Sequence, residues 1–203
     1  MTSQPATGHP DLLLAAVRAG VTVYDLARPM SIGMPQSPNH PAYWHTLPRR
    51  HGDRTRPDGG SAANDMIVTG THVGAGDVVL VRSGWGRLFT DPDRDAYIGA
   101  KSGVPGVAEA GARWLAGRGV HAAGADTIAF ECLPPGQGHS VLPAHRVLLV
   151  ESGIYIIETL DLEEIARAGV HEFTFVLAPL PLVGATGSPA RPLALVSLER
   201  SDG

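Results

Sequence analysis

The sequence predicts a mixed α/β domain of α+β character, and three observations predict it. Short strand-like runs outnumber helical ones, the two kinds show no regular βαβ alternation, and no internal repeat or low-complexity tract interrupts them. A chain of 203 residues with 43% hydrophobic and 18% charged content can bury a substantial core, so a single domain spanning 1–203 is expected.

The elements follow in order. Asp11 to Ala19 reads as a short amphipathic helix after Pro10, with Gly20 placed to end it. Val21 to Leu26 is strand-like. Ala27 to Ala63 is a long irregular stretch broken by prolines 29, 35, 38, 41, 48 and 57. It carries His40, Trp44, His45 and His51, which could line a pocket, although scattered loop histidines are more often plain surface residues. Met66 to Thr71 and Asp77 to Arg82 are strands, separated by His72, Val73 and Gly74-Ala75-Gly76. Glycines at both flanks of that junction allow a tight turn, which would make the two strands a hairpin or one kinked strand.

Asp91 to Gly103 reads as turn-rich and polar, and Val107 to Ala116 as a helix ended by Gly117 or Gly119. Val120 to Ala123 and Thr127 to Phe130 read as short strands around Gly124-Ala125-Asp126, followed by a loop from Leu133 to His139. Asp161 and Glu164 suggest a capping box for a helix through Ala168, stopped by Gly169. Glu172 to Leu177 and Leu193 to Leu198 are the last strands, with a glycine–proline loop, Gly184 to Pro192, between them.

Between these lies His145 to Glu158, HRVLLVESGIYIIE, with a possible metal ligand at each end of an otherwise apolar run. Two backbones are open to it. Val147 to Val150 and Ile154 to Ile157 can form a hairpin about Glu151-Ser152-Gly153, which sets His145 opposite Glu158. Alternatively His145, Leu148 and Leu149 lie on one side of a short helix stopped at Gly153 and followed by a strand, a reading with no automatic pairing of the two ends.

Composition excludes several function classes. A formal charge of −4 offers no electrostatic footprint for nucleic acid or an anionic membrane. The single cysteine, Cys132, rules out an internal disulfide framework and fits a reducing compartment. MTSQPATGHP has neither a basic n-region nor an apolar h-region, and no apolar run reaches bilayer length, so a cytoplasmic protein is expected. The sequence holds no GxGxxG opening a helix, no P-loop, no HExxH, no CxxC and no GxSxG elbow. What remains is a dispersed set of imidazoles and carboxylates, the raw material of a metal site.

Seven blocks in this order resemble the cyclase family of metal-dependent hydrolases, the group that includes kynurenine formamidases and isatin hydrolases. They are VYDLARPMSIGMP (23–35), RRHGD (49–53), GGSAANDMIVTGTHVG (59–74), GDVVLVRSGWGRLF (76–89), GADTIAFE (124–131), AHRVLLVESGIYIIETLDLEE (144–164) and EFTFVLAPLPLVGATGSPARPLALV (172–196). The resemblance implies that family's swivelling β/β/α fold, a small-molecule substrate, and hydrolysis of a C–N bond other than a peptide bond, in an amide, lactam or related ring. It also implies zinc or manganese and a homodimer or larger homo-oligomer.

The chain departs from the family at one place. The family's metal motif reads His-x-Gly-Thr-His-x-Asp with a further His shortly after. Here His72-Val73-Gly74 matches its start, but Ala75-Gly76-Asp77 follows and runs straight into VVLVRSGW. Asp77 lies five residues after His72, not six, so it is not the motif's aspartate. The resemblance thus implies an internal deletion after about residue 74, removing a histidine ligand, the bridging aspartate and the proton-transfer histidine. Three ligand candidates are left, His72, His145 and Glu158, with no catalytic acid–base residue assigned. Two histidines and a glutamate with an open position form a recognised catalytic zinc set, so a reduced one-metal site with impaired hydrolysis is expected. A degenerate relative serving as a binding or assembly subunit, or using the pocket for metal-free chemistry, is the alternative.

Overall fold

The computed structural model describes residues 17–29, 73–99, 101–136 and 141–197. They form two three-stranded sheets. In the first, β1 (Val21–Asp25) and β5 (Thr174–Val176) flank β6 (Leu193–Ser197), all antiparallel, with Tyr24 opposite Ala194 and Phe175 opposite the same residue on the other side. In the second, β3 (Ala122–Ala125) lies between β2 (Val78–Val81) and β4 (Tyr155–Ile157), all parallel. Parallel strands need crossovers, and here helical segments supply them, an alternation that the short runs of sequence do not advertise.

β3 is built from Ala122, Ala123, Gly124 and Ala125, all buried. Its small side chains let neighbours close over it. A Cβ on Gly124 would sit 2.8 Å from Leu160 Cδ1 and 2.9 Å from Leu80 Cδ2. Between the sheets Leu26, Leu160, Leu162, Ile165 and Ala194 make a buried cluster against which Tyr24, Leu80 and Phe175 pack. A second cluster joins β3 to the helices through Ala123, Ala125, Leu115, Phe130, Val147 and Leu148.

The link from β2 to β3 corrects the turn-rich reading of Asp91 to Gly103. After a 3-10 helix over Trp85–Thr90, α1 (Arg94–Ile98) forms, with the Asp93 carboxylate accepting the Asp95 N–H at 3.0 Å and Gly99 closing the helix in the left-handed region. Its Tyr97 is fully buried, edge-on to Phe89 with ring centroids 5.3 Å apart. α2 (Glu109–Arg118) ends at Gly119 as expected, but it starts two residues later than its apolar pattern suggests, because Val107 is bridged to Glu131. Thr127 to Phe130 is not a strand. The chain turns there, with Phe130 at φ 57°.

β3 is followed by α3 (Pro143–His145), which runs on as a π-helical turn, Arg146–Glu151, before β4. The helix–strand reading of this stretch is the one the structure adopts. α4 (Glu163–Arg167) lacks the expected capping box. Asp161 does accept the Glu163 N–H at 3.3 Å, but its carboxylate is also paired with Arg28 at 3.1 Å.

Arg28 ties the two sheets together. Its guanidinium donates to the carbonyls of Gly86 (3.0 Å) and Leu160 (3.1 Å), pairs with Asp161, and lies 4.9 Å from the Phe89 ring centroid. Backbone bonds run alongside, from Leu26 N–H to the Pro192 carbonyl and from Asp161 N–H to the Leu26 carbonyl.

The junction Gly74 to Asp77 is a closed turn in which the Gly74 N–H donates to the Asp77 carboxylate at 2.8 Å and Gly76 takes φ 86°. Whether Met66 to Thr71 pairs with β2 lies outside the described residues, as do His40, Trp44, His45, His51 and most of the expected N-terminal helix, whose last turn ends at Gly20. Among the described residues no helix is long and apolar enough to cross a membrane.

Asp126 pins the chain leaving β2. Its buried carboxylate accepts the N–H groups of Ser83 (2.9 Å), Gly84 (2.8 Å) and Gly86 (3.3 Å) and the Ser83 hydroxyl (2.7 Å). Replacing it with alanine leaves four donors without their acceptor, the buried Gly86 N–H among them, and Asp126→Ala is expected to cost about 3 kcal/mol in urea unfolding with an unchanged m-value. Ser83→Ala, which removes one of those donors along with its hydrogen bond, is expected to cost about 1 kcal/mol.

Candidate metal centre

The centre is organised by a buried carboxylate. Glu131, 1% exposed, follows the left-handed Phe130 and faces the start of α3. Pro143 begins that helix, a position where the missing N–H is harmless. The next two N–H groups are free to be capped, and Glu131 caps both: Oε1 accepts from Ala144 at 2.9 Å and Oε2 from His145 at 3.2 Å. The same Oε2 lies 2.9 Å from His145 Nδ1.

The other ring nitrogen faces Glu158. From His145 the chain runs up the π-helical turn, reverses at Gly153 (φ 65°) and returns as β4, with Ile154 N–H bonded to the Leu148 carbonyl at 2.8 Å. Glu158 comes directly after β4, and its Oε1 is 3.2 Å from His145 Nε2. A helix and a strand running back past it thus bring the two ends of HRVLLVESGIYIIE together without a hairpin. Their pairing arises from the pinning of α3 by Glu131 and of β4 by β3, with Ile157 in register with Gly124.

Of the residues expected to ligate, His145 and Glu158 are therefore brought together. His72 lies outside the described residues; its neighbour Val73 is buried in the same cluster as Ala144 and Val147. Glu131 was not singled out by sequence reasoning. Its signal was faint, a glutamate at the end of GADTIAFE with nothing in its spacing to link it to a histidine fourteen residues on.

The electrostatics follow from the geometry. A carboxylate only accepts, so Glu131 fixes a proton on Nδ1. Glu158 also only accepts, so the Nε2 side requires a positive partner too. In the absence of a metal ion that partner is a second proton. Burial alone would pull the imidazole pKa down, but the hydrogen bonds and charges of Glu131 and Glu158 outweigh it and raise the pKa to about 9. The His145 side chain is 13% exposed and that of Glu158 33%, so this face of the ring can be reached from solvent.

A divalent ion fits the same place. Two ligands each about 2.0–2.2 Å from a tetrahedral ion stand roughly 3.3–3.6 Å apart, close to the separation of Nε2 and the Glu158 oxygen. A histidine whose other nitrogen donates to a carboxylate is the usual arrangement at a zinc ligand. Two protein donors do not complete a site, and among the described residues no group of three or more His, Cys, Asp or Glu is arranged to hold a metal ion. Among the described residues, the neighbouring groups offer no nucleophile. Burial, with Glu131 beside it, pushes the Cys132 thiol up, and the Tyr97 hydroxyl is committed to the Asp126 carbonyl at 3.1 Å.

The raised pKa makes a stability prediction for the chelated protein. A proton bound more tightly in the folded state than in the unfolded one stabilises fully below about pH 6.5, and that contribution is lost as pH rises through about 9. Urea unfolding in EDTA is expected to show wild type losing on the order of 3 kcal/mol relative to His145→Gln between pH 6 and pH 10. Parallel profiles for the two proteins would contradict it.

Comparison with known proteins adds the wider context. The family profile described as "Putative cyclase" matches residues 61–132, a stretch that includes His72 and Glu131 and ends before His145. A crystal structure of a novel cyclase is 30% identical over 61% of this chain and 41% of its own, with a TM-score of 0.53. An isatin hydrolase bound to the product analogue thioisatinate is 25% identical over 63% of this chain and 48% of its own, also with a TM-score of 0.53. This chain thus spans less than half the length of either. Isatin hydrolase A from Ralstonia solanacearum, 19% identical, shares the fold over 96% of this chain and 100% of its own, with a TM-score of 0.63. No curated protein matches the chain. By sequence over residues 61–132, and by fold over most of its length, the chain is thus similar to cyclase-family proteins.

Proposed function

We propose that this chain is a metal-dependent hydrolase of a small amide, lactam or lactone, working through a reduced site. The observation that carries the reading is the 3.2 Å approach of His145 Nε2 to the Glu158 carboxylate on the solvent-reachable side of a ring anchored from behind. The isatin hydrolase at 25% identity supports the reaction class. His145 and Glu158 would hold zinc or manganese, with His72 as the third ligand. When bound, the ion would supply Lewis acidity toward a carbonyl and a more acidic water.

The protein's own residues define the limits of that chemistry. Glu131 holds the Nδ1 proton, so it is not available as a base for substrate. Glu158 would be spent as a ligand. No other buried acid or base among the described residues faces the ring, and missing positioned proton transfer costs about 10²–10⁴ in rate. Hydrolysis by this chain is therefore weak.

One observation favours a second reading, a relative that no longer hydrolyses. The imidazole is fully satisfied by its two carboxylates when doubly protonated, a state in which it serves only as a cross-link between α3, the Glu131 turn and the end of β4.

N-formylkynurenine and isatin, offered with zinc or manganese, discriminate between them. The first reading predicts slow turnover that EDTA abolishes, that His145→Ala reduces to background, and that Glu158→Gln lowers at least tenfold. Turnover indifferent to EDTA and to His145→Ala would overturn it. Complete absence of turnover, with zinc failing to bind, would leave the second.

A further inference from the structure

We propose that Glu131 is the positioning residue of this site: it sets the tautomer and the direction of the His145 ring, so that Nε2 and not Nδ1 is the nitrogen presented to whatever cation sits against Glu158. The metal arm of this inference rests on the reading above; the tautomer arm does not.

Three features of Glu131 point to this role. Its two oxygens are used three times, on the Ala144 N–H, the His145 N–H and His145 Nδ1, so a single carboxylate fixes both the backbone and the ring of the same residue. It is buried, so this geometry is not shared with water. The chain also accepts strain on either side of the ring. The only left-handed residues other than glycine among those described are Phe130 (φ 57°) and Thr159 (φ 62°), which directly precede Glu131 and directly follow Glu158. Such conformations are strained for a side-chain-bearing residue and persist where the surroundings over-determine them. Phe130 is held there by burial and by the Val107 N–H, which donates to its carbonyl at 3.1 Å. On the next strand-like segment Gly106 lies so close to the backbone of Phe130, Glu131 and Cys132 that no Cβ can be placed on it. The Glu131 carboxylate is thus aimed by the backbone, not by a free rotamer.

Glu131 does more than cap the helix. A carboxylate serving only as a helix cap would bond the two N–H groups and be indifferent to the ring. Bonding Nδ1 with the same oxygen that caps His145 makes tautomer and helix start one unit.

The test reads both ring nitrogens of His145 in 15N-labelled full-length protein by long-range correlation from the ring C–H protons, beside zinc affinity measured against a chromophoric chelator. In the zinc-loaded wild type, Nδ1 is expected to carry the proton and Nε2 the metal-bound shift; zinc on Nδ1 would overturn the proposal. If wild type binds no zinc, the metal reading fails and the positioning claim is read in the zinc-free protein at pH 10, where the neutral ring is expected to keep its proton on Nδ1. A proton on Nε2 there would overturn it. Glu131→Gln is expected to weaken zinc binding about 10- to 100-fold, with a mixture of tautomers, and Glu131→Asp to weaken it less; unchanged affinity and tautomer in Glu131→Gln would overturn the proposal. Should Glu131→Gln fail to fold, the wild-type spectra decide alone.

Discussion

An imidazole held between two carboxylates needs positive charge on both nitrogens, and this requirement governs the site. Glu131 supplies the fixed half, since its oxygen 2.9 Å from Nδ1 demands a proton there. Glu158 leaves the other half open, because its oxygen 3.2 Å from Nε2 is satisfied equally by a proton or by a divalent ion. The raised pKa of His145 and its fitness as a ligand are therefore two consequences of one arrangement. On the proposed reading, a metal ion binding here would displace a proton, and metal occupancy would rise with pH up to that exchange.

The fold exists around this requirement in a traceable way. β3 is made of alanine and glycine, so β4 and Leu160 settle tightly against it and fix where Glu158 emerges. The turn after β3 carries Asp126, which anchors the chain leaving β2, and five residues on it carries Glu131, which anchors α3. One short irregular segment thus holds both the crossover and the candidate ligand. Arg28 closes the arrangement from the antiparallel sheet through the carbonyl of Leu160, two residues beyond Glu158.

Much of this was legible in the sequence, and what was not has physical reasons. β1 and β6 showed as β-branched and leucine-rich runs, and glycines 119 and 169 marked helix ends that the structure keeps. His145 and Glu158 stood out as polar ends of an apolar stretch, although periodicity could not choose between hairpin and helix. α1 was hidden because five residues rich in charge look like a turn until Asp93 and Gly99 are seen to cap them and Tyr97 to be buried. Thr127 to Phe130 has strand-forming residues, but Glu131 can face α3 only if Phe130 leaves the extended region, so tertiary demand overrode local preference. Glu131 itself was illegible because its partner is distant in sequence and a single glutamate carries no period. The cyclase-family resemblance rested on blocks, and blocks report shared backbone paths better than they report which carboxylate faces which ring.

The central claim is that the space between His145 Nε2 and Glu158 is a cation position able to take a metal ion. Anomalous diffraction at the zinc edge, from crystals of the full chain grown near pH 7.5 with zinc, tests it most directly. The account predicts an anomalous peak about 2.0–2.2 Å from both Nε2 and a Glu158 oxygen, with Glu131 still bonded to Nδ1. Nε2 in direct contact with Glu158 and no anomalous peak beside either would contradict it.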